Sequence, residues 1–504
     1  MRSLIASICG AVLAVSASSA LAMAVQPIDS PVLADKVAKG ELPPIGERVP
    51  SDPRVVNVKI PGQHGGTLRV VFGRSKDTRI MVVYGYARLV TYDAEFNIQP
   101  DILAKVDVEL GRTFTLHLRK GHRWSDGHPF TAEDFRYWWE DIANEPALSP
   151  LGPAKQLIVA GERPTVEMID DYTIRYSWSS PNPHFLPALA SATPLYIYRP
   201  AHYLKKFHAR YAEAETLAEM VKKSGRRNWA ALHNRRDNQY KNDNPALPTL
   251  QPWVLQTKPP AQRFLFDRNP YFHRVDQNGR QLPYIDQVAM GVAAAGVIPL
   301  KTGAGETDLQ ARGIAFNNYT FLKEAEKREN FKVHLWQTAK GSHLGLFPNL
   351  NAKDPVWRQL FQNVEFRRAL SLAINRHEIN QVIYYGLAVE GQNTVLPASP
   401  LFKKEYLDAW TQFDLKAANA RLDALGLTKR DSRGVRLLPD GRPMEIIVET
   451  AGEDTEQTDV LELIHDSWLA AGIKLFTRSS QREVFRNRIF AGETLVSIWS
   501  GHEF

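Results

Sequence analysis

The clearest alternation of hydrophobic and polar positions lies between residues 114 and 142. Apolar and polar residues alternate over 114–119, which is the period of a strand with one buried face. Asp126-Gly127 supplies a turn, and Thr131 with Asp134 three residues later has the spacing of a helix N-cap. Apolar residues then recur at helical spacing: Phe135, Trp138, Trp139 and Ile142. The stretch predicts a strand, a turn and a capped amphipathic helix.

Similar patterns predict further elements before residue 340. Alternation or short apolar runs predict strands over 67–72, 171–178, 263–267 and 331–336. A helix is expected over 201–223, because Gly225 can end it.

The last third of the chain changes to helical periods. Helices are expected over 363–374 and, capped by Asn375, from there to Gly386. A strand over 444–449, a helix and a strand over 473–476 predict a β-α-β unit, which requires parallel strands and a right-handed crossover.

The first 63 residues predict export. Residues 1–24 combine Arg2, an apolar run too short to span a bilayer and small residues for cleavage, as in a secretory signal peptide. Cys9, the single cysteine, follows bulky Ile8 within this segment, so no disulfide and no lipid anchor of the lipoprotein kind is expected. Residues 25–63 are rich in proline, glycine and charge and predict an extended N-terminal arm.

Length and charge limit the function classes. A chain of 504 residues exceeds what one core usually supports, so two or three lobes are expected. The net charge of +7 is spread along the chain, and the densest basic run, 226–241, has few residues that could stack on bases. Nucleic acid is therefore not an expected partner.

Several stretches carry a family resemblance. Residues 118–121, 124–127 and 131–135 resemble the L-R-x-G, W-S-D-G and T-A-x-D-F signature of extracellular solute-binding proteins of peptide-type ABC importers, family 5. The sequence VEFRRALSLAINRHEI, 364–379, resembles the second signature of the same family. Two long, irregularly spaced signatures make chance a poor explanation.

The resemblance implies an α/β, two-lobed periplasmic-binding-protein fold of the class II type, with an additional subdomain inserted in the large lobe. The large lobe would comprise residues 64–85 and 193–330, the inserted subdomain 86–192, and the second lobe 331–504. In the family the chain then returns to the large lobe. This sequence stops at Phe504, so we expect a truncated member that is poorly soluble or weak in ligand binding.

The resemblance also implies a function. A monomeric periplasmic protein would capture a peptide or similar small solute between its lobes by hinge closure. It would then deliver the solute to an ABC permease and ATPase complex for transmembrane transport. Candidate ligand-binding residues of the large lobe are those after its first strand, Arg74, Lys76 and Tyr84.

The second lobe departs from the family at its candidate site. The peptide binders carry W-x-x-D there, and the aspartate pairs with the α-ammonium group of the peptide. Here the run ends in His502, which offers no fixed negative charge, and Trp499 is a candidate stacking residue. A modified peptide, an oligosaccharide or another small solute is therefore a competing ligand.

No catalytic pattern emerges. Ser342 and Gly345 do not form G-x-S-x-G, His377-Glu378 lacks the second histidine of a zinc protease motif, and no cysteine remains after the leader. We therefore expect no catalytic residue, no metal ligand and no cofactor. An exported hydrolase, its carboxylates brought together only by folding, is the alternative from a different class.

Overall fold

The computed structural model describes residues 26–452 and 455–502. The predicted signal peptide lies outside the described residues. The chain divides into two compact units, Met1–Ile314 and Ala315–Phe504. The boundaries of the expected inserted subdomain stay a prediction.

The first unit combines short strands and short helices in similar proportion. Its strands are β1 (Arg54–Val56), β2 (Thr67–Phe72), β3 (Val90–Tyr92), β4 (Ile98–Pro100), β5 (Leu103–Glu109), β6 (Thr113–Leu118), β7 (Thr165–Asp170), β8 (Thr173–Ser177), β9 (Trp253–Leu255), β10 (Arg263–Arg268), β11 (Arg274–Asp276) and β12 (Gln287–Val292). Its helices are α1 (Pro31–Ala38), α2 (Ile45–Arg48), α3 (Ile80–Gly85), α4 (Ala132–Arg136), α5 (Phe185–Ala190), α6 (Ala201–Leu204), α7 (Ala214–Ser224), α8 (Trp229–Arg236) and α9 (Ile298–Gly303).

Two four-stranded sheets organise the first unit. One has the order β2-β12-β10-β9, with β2 parallel to β12, and the other is antiparallel in the order β5-β6-β8-β7. On β6, Phe114, Leu116 and Leu118 are buried, which confirms the predicted alternating strand. The capped helix is also confirmed, because the Asp134 carboxylate accepts the Thr131 N–H at 3.1 Å. α4 continues as a π-helical turn, Tyr137–Ala143.

The N-terminal segment differs from the extended arm that its composition predicts. It forms α1 and α2, and β1 pairs in parallel with β11. The guanidinium of Arg48 is fully buried, forms an ion pair with Asp29 and donates to the carbonyls of Pro43 and Pro270. A buried charge needs such partners, and here they fix the segment to the unit.

The expected helix over 201–223 is wrong in one respect: it is broken. α6 passes into a 3-10 turn, Lys205–Phe207, and α7 begins only at Ala214. His208, which is buried, lies in the break, and its Nε2 is 3.0 Å from the carbonyl oxygen of Asp141. This tertiary hydrogen bond holds the chain out of the helical path.

The second unit is an α/β sandwich. Its helices are α10 (Tyr319–Ala325), α11 (Pro355–Gln362), α12 (Val364–Leu372), α13 (Arg376–Tyr384), α14 (Lys404–Asp408), α15 (Leu415–Ala424), α16 (Glu456–Ala470) and α17 (Arg482–Phe490). Its strands are β13 (Gly345–Pro348), β14 (Glu445–Thr450), β15 (Lys474–Ser479) and β16 (Val496–Trp499), in the sheet order β13-β16-β14-β15.

The predicted elements of the second unit are confirmed with one exception. α12 and α13 form, the Asn375 side chain accepts the Glu378 N–H at 3.2 Å, and β14 and β15 are parallel around α16. The expected strand over 331–336 is wrong, since the described chain there has no strand and Trp336 is 77% exposed. A strand needs a hydrogen-bonding neighbour, which alternation alone cannot supply.

Two helices cover opposite faces of this sheet. Ile446 and Val448 of β14 share a buried core with Val460 and Ile464 of α16. Glu449, which points to the other face, accepts two hydrogen bonds from Arg488 of α17, each 2.8 Å long. The chain therefore leaves neighbouring parallel strands toward opposite sides.

Candidate functional site

The parallel strands of the second unit end at a common edge. β14, β15 and β16 finish at Thr450, Ser479 and Trp499, and the antiparallel β13 begins beside them, with Gly345 opposite Trp499. In open α/β sheets, ligands bind outside the carboxyl ends of strands whose connections go to opposite faces. This edge is therefore the candidate site of the second unit.

Trp499 lies at this edge and is half-buried, and two side chains of α17 contact its ring. Its ring centroid is 5.9 Å from that of Phe485, with the planes inclined by 32°. The guanidinium carbon of Arg482, in the first turn of α17, lies 5.0 Å from the centroid of the Trp499 ring. A cation over an indole face is attracted to it, so this contact helps to fix the orientation of the Trp499 ring.

The exposed His502 stands on a firmly anchored backbone. Its own N–H donates to Asn393 Oδ1 at 3.0 Å, and its carbonyl accepts the Gly341 N–H at 2.9 Å. The Gly501 N–H donates to the Ser342 carbonyl at 2.8 Å. The structure thus brings Trp499 and His502 to one edge. Two segments distant in sequence, around residues 341–342 and at Asn393, hold the backbone of Gly501 and His502 there.

A buried acid lies at the start of α16. The Glu456 carboxylate is 2.9 Å from His343 Nε2, and His343 directly follows Ser342. Burial alone would raise the pKa of Glu456, but the hydrogen bonds from His343 and Tyr384 outweigh it and hold the pKa below its usual value. An ionised acceptor is therefore built into this part of the unit.

Two of the candidate residues of the first unit, Arg74 and Lys76, are exposed. They follow the end of β2, with Lys76 in a 3-10 turn, Ser75–Arg79. The neighbouring parallel strand β12 ends alongside, and the Ala293 N–H donates to the Phe72 carbonyl at 3.0 Å. Both cations therefore lie at a carboxyl edge of parallel strands.

Tyr84, the third candidate of this unit, is partly committed to packing. Its ring lies edge-on to Phe72, with centroids 6.2 Å apart. Burial raises the pKa of Tyr84, and the charge of Arg312 opposes this effect. Of the three residues, Arg74 and Lys76 are the more available for contact with a solute.

The sequence did not reveal Arg482, Phe485, Asn393 or His343. Arg482 follows a predicted strand and opens the next helix, so the edge rule for parallel sheets could have pointed to it. Asn393 lies 109 residues before its partner His502, and no local pattern relates the two.

Within residues 26–452 and 455–502, no group of three or more His, Cys, Asp or Glu side chains is placed to hold a metal ion. No helix in the same ranges has the length and apolarity to cross a membrane.

The fold and the edge geometry define an α/β protein with a candidate ligand site, and the comparisons specify its family. The chain matches the bacterial extracellular solute-binding proteins, family 5 (Middle), over residues 97–502. This match covers more than half of the chain. The protein therefore belongs to the family 5 extracellular solute-binding proteins, as the two signatures predict.

Individual relatives differ in what they bind. A solved structure of the oligopeptide-binding protein OppA is 35% identical and has a TM-score of 0.72, over 95% of this chain and 75% of that one. The periplasmic α-galactoside-binding protein of Rhizobium meliloti is 26% identical over 464 residues, 82% of this chain. The match spans 62% of the length of that relative.

Solved structures also establish the fold class. The periplasmic binding protein MelB of Agrobacterium fabrum, in complex with stachyose, is 23% identical and has a TM-score of 0.64, over 94% of this chain and 74% of that one. Together with OppA, it confirms the predicted α/β fold of two-lobed periplasmic binding proteins.

Proposed function

We propose that this protein is the solute-binding component of an ABC importer. It captures a peptide or a similar small solute outside the cytoplasmic membrane and delivers it to a permease and ATPase complex. The observation that supports this proposal is family membership over residues 97–502, with exposed and aromatic residues at carboxyl edges of parallel strands.

The ligand-binding residues of this proposal are Arg74, Lys76, Tyr84, Trp499 and His502. Trp499 and His502 have the strongest support, since their backbone and ring positions are fixed by several contacts. The three residues of the first unit are supported by their position after β2.

A neutral oligosaccharide is a second candidate ligand, and the residue at the family's aspartate position favours it. An α-ammonium group needs a carboxylate, whereas this position holds His502, which offers no fixed negative charge. A sugar stacks on an indole without a charged partner. The α-galactoside-binding relative supports the same candidate.

A ligand screen tests the function. Purified protein would be melted with a mixed peptide library and with α-galactosides including stachyose, and any ligand that raises the melting temperature would be titrated by calorimetry. We expect saturable binding and recovery of the ligand unchanged. Consumption of the ligand would instead support the exported hydrolase.

Two variants test the site. Trp499→Ala should weaken binding about tenfold, whereas Phe490→Ala, which removes a 78% exposed ring at the opposite end of α17 from Arg482, should leave it unchanged. His502→Asp should strengthen binding of peptides with a free α-amino group about tenfold or more, because it restores a charged partner. Equal affinities in all variants would exclude this edge as the site.

The cellular context of the proposal is export of a monomer without a lipid anchor, directed by residues 1–24. Fractionation of cells that express the full chain checks export, and light scattering of the purified protein checks the oligomeric state.

A further inference from the structure

A second aromatic surface lies in the Ala315–Phe504 unit and is formed by residues other than those of the proposed site. Phe316 and Tyr319 stack with centroids 5.5 Å apart and planes inclined by 8°. Tyr384 and Tyr385, at the end of α13, complete the group, with centroids 5.6 Å and 6.0 Å from that of Phe316. We call these four residues the tyrosine cluster.

The cluster faces solvent to an extent that packing does not require. The Tyr385 residue is 53% exposed, and its three partners are only partly buried. Rings that only filled a core would be withdrawn from water, as Phe361 and Phe366 are in the same unit. The exposed ring area is therefore available to a ligand.

The backbone of Tyr385 is strained. It adopts a left-handed conformation, φ +53°, at the C-terminus of α13, a position that glycine usually occupies. A bulky residue in this region costs stability, and such strain persists mainly where a side chain has another role. Gly386 follows immediately and is also left-handed, φ +74°, so the chain places a bulky aromatic residue at the first of two left-handed positions.

Polar groups adjoin the cluster. The His343 ring lies edge-on to Tyr384, with centroids 6.0 Å apart, and His343 in turn contacts Glu456. Ser342, the neighbour of His343, accepts the Gly501 N–H. The cluster is thus connected, contact by contact, with the edge that carries Trp499.

We propose that the tyrosine cluster is a subsite for a sugar ring of an oligosaccharide ligand, and this inference rests on the proposed solute-binding function. Aromatic faces accept the apolar C–H face of a pyranose, while the hydroxyl groups of Tyr319 and Tyr385 and the ring of His343 meet its hydroxyl groups. Three of the four rings carry a hydroxyl group, which suits a ligand that is apolar on its faces and polar at its rim.

Tyr385→Gly gives the sharpest test, because it removes the ring and relieves the strain. We expect stachyose to bind about three- to tenfold more weakly than to the wild type, with a melting temperature that is unchanged or higher. Phe316→Leu should weaken binding in the same range. Tyr406→Ala, which removes a 51% exposed tyrosine outside the cluster, is the matched control and should bind normally.

The outcomes separate this inference from the proposed function. Stachyose affinities within twofold of the wild type in both cluster variants, with loss in Trp499→Ala, would overturn the subsite and leave the solute-binding function intact. Binding of peptides but of no saccharide would overturn the sugar assignment alone. If neither a peptide nor a saccharide binds, both the subsite and the proposed solute-binding function are overturned.

Discussion

The backbone of Gly501 runs against two other segments of the second unit. A Cβ atom at this position would lie 2.6 Å from the Ser342 nitrogen and closer still to Asn393 Oδ1. The Ser342 nitrogen belongs to the backbone, and Asn393 Oδ1, although it ends a side chain, is held by the His502 N–H, so a side chain at position 501 would disturb the edge. The positions of Trp499 and His502 therefore depend on glycine at position 501.

Gly501→Ala should therefore lower the free energy of unfolding by about 1–3 kcal/mol, as expected for an overpacked site. Chemical denaturation of both proteins measures the difference. Gly296→Ala is the control, since no heavy atom lies within 4 Å of a Cβ built there. An equal loss in the two variants would show that the close approach is not the cause.

A buried carboxylate also connects segments of the first unit. The oxygens of Asp101, which is buried, lie 2.6 Å from Arg274 Nη2 and 3.0 Å from His273 Nε2. Burial would raise the pKa of Asp101, but the charges of Arg274 and His273 outweigh it and hold the pKa far below its usual value. Removal of one partner would leave an unpaired buried charge, so the group acts as a unit.

At the scale of elements, the strand–turn–helix unit over 114–142 is held by one carboxyl group. The Asp134 side chain accepts the indole N–H of Trp124 and the N–H of Thr131, both at 3.1 Å, and the N–H of Ala201 at 3.0 Å. These bonds connect the turn, the helix start and α6. Burial raises the pKa of Asp134 to about 7, against these hydrogen bonds, which lower it.

The shifted pKa predicts a pH dependence. Between its ordinary value of 3.8 and about 7, Asp134 binds more protons in the folded than in the unfolded state. Its contribution to stability is therefore greatest at low pH and falls as the pH rises through this window, by up to about 1.4 kcal/mol per pH unit. Unfolding of wild type and Asp134→Asn at pH 4 to 8 isolates this contribution. A difference between the two proteins that stays constant or grows with pH would contradict the assignment.

At the scale of the whole molecule, the chain consists of two compact units that belong to a family of solute-binding proteins. In such proteins, hinge closure around the ligand is the usual response to binding. The proposed function therefore carries a prediction about size in solution.

We expect the radius of gyration to fall when the ligand with the largest thermal shift is added at saturation. Small-angle X-ray scattering measures this change, and the wild type with a compound that gave no thermal shift, at the same concentration, is the control that should not compact. An unchanged scattering curve for the saturated wild type would count against hinge closure.

Local features of the chain could be predicted well from the sequence. The alternation in β6, the caps at Asp134 and Asn375, and the parallel pair around α16 follow from spacing within a few residues. Trp499 and His502 were found because they lie within one short family motif, although their role as ligand residues is still a proposal. The role of Arg74, Lys76 and Tyr84 as ligand residues is likewise a proposal. The sequence pointed to them only because they follow a predicted strand.

Other features were decided only by tertiary contacts. Residues 331–336 have the alternation of a strand but no neighbouring strand, and the helix expected over 201–223 is interrupted where His208 bonds to Asp141. Arg482 meets Trp499 only because α17 returns across the sheet, and Asn393 reaches His502 from a segment 109 residues away. The sequence by itself determined what each segment favours, since propensity and capping act between near neighbours. Folding determined which distant groups share a surface, because pairing and burial depend on partners that no local pattern encodes.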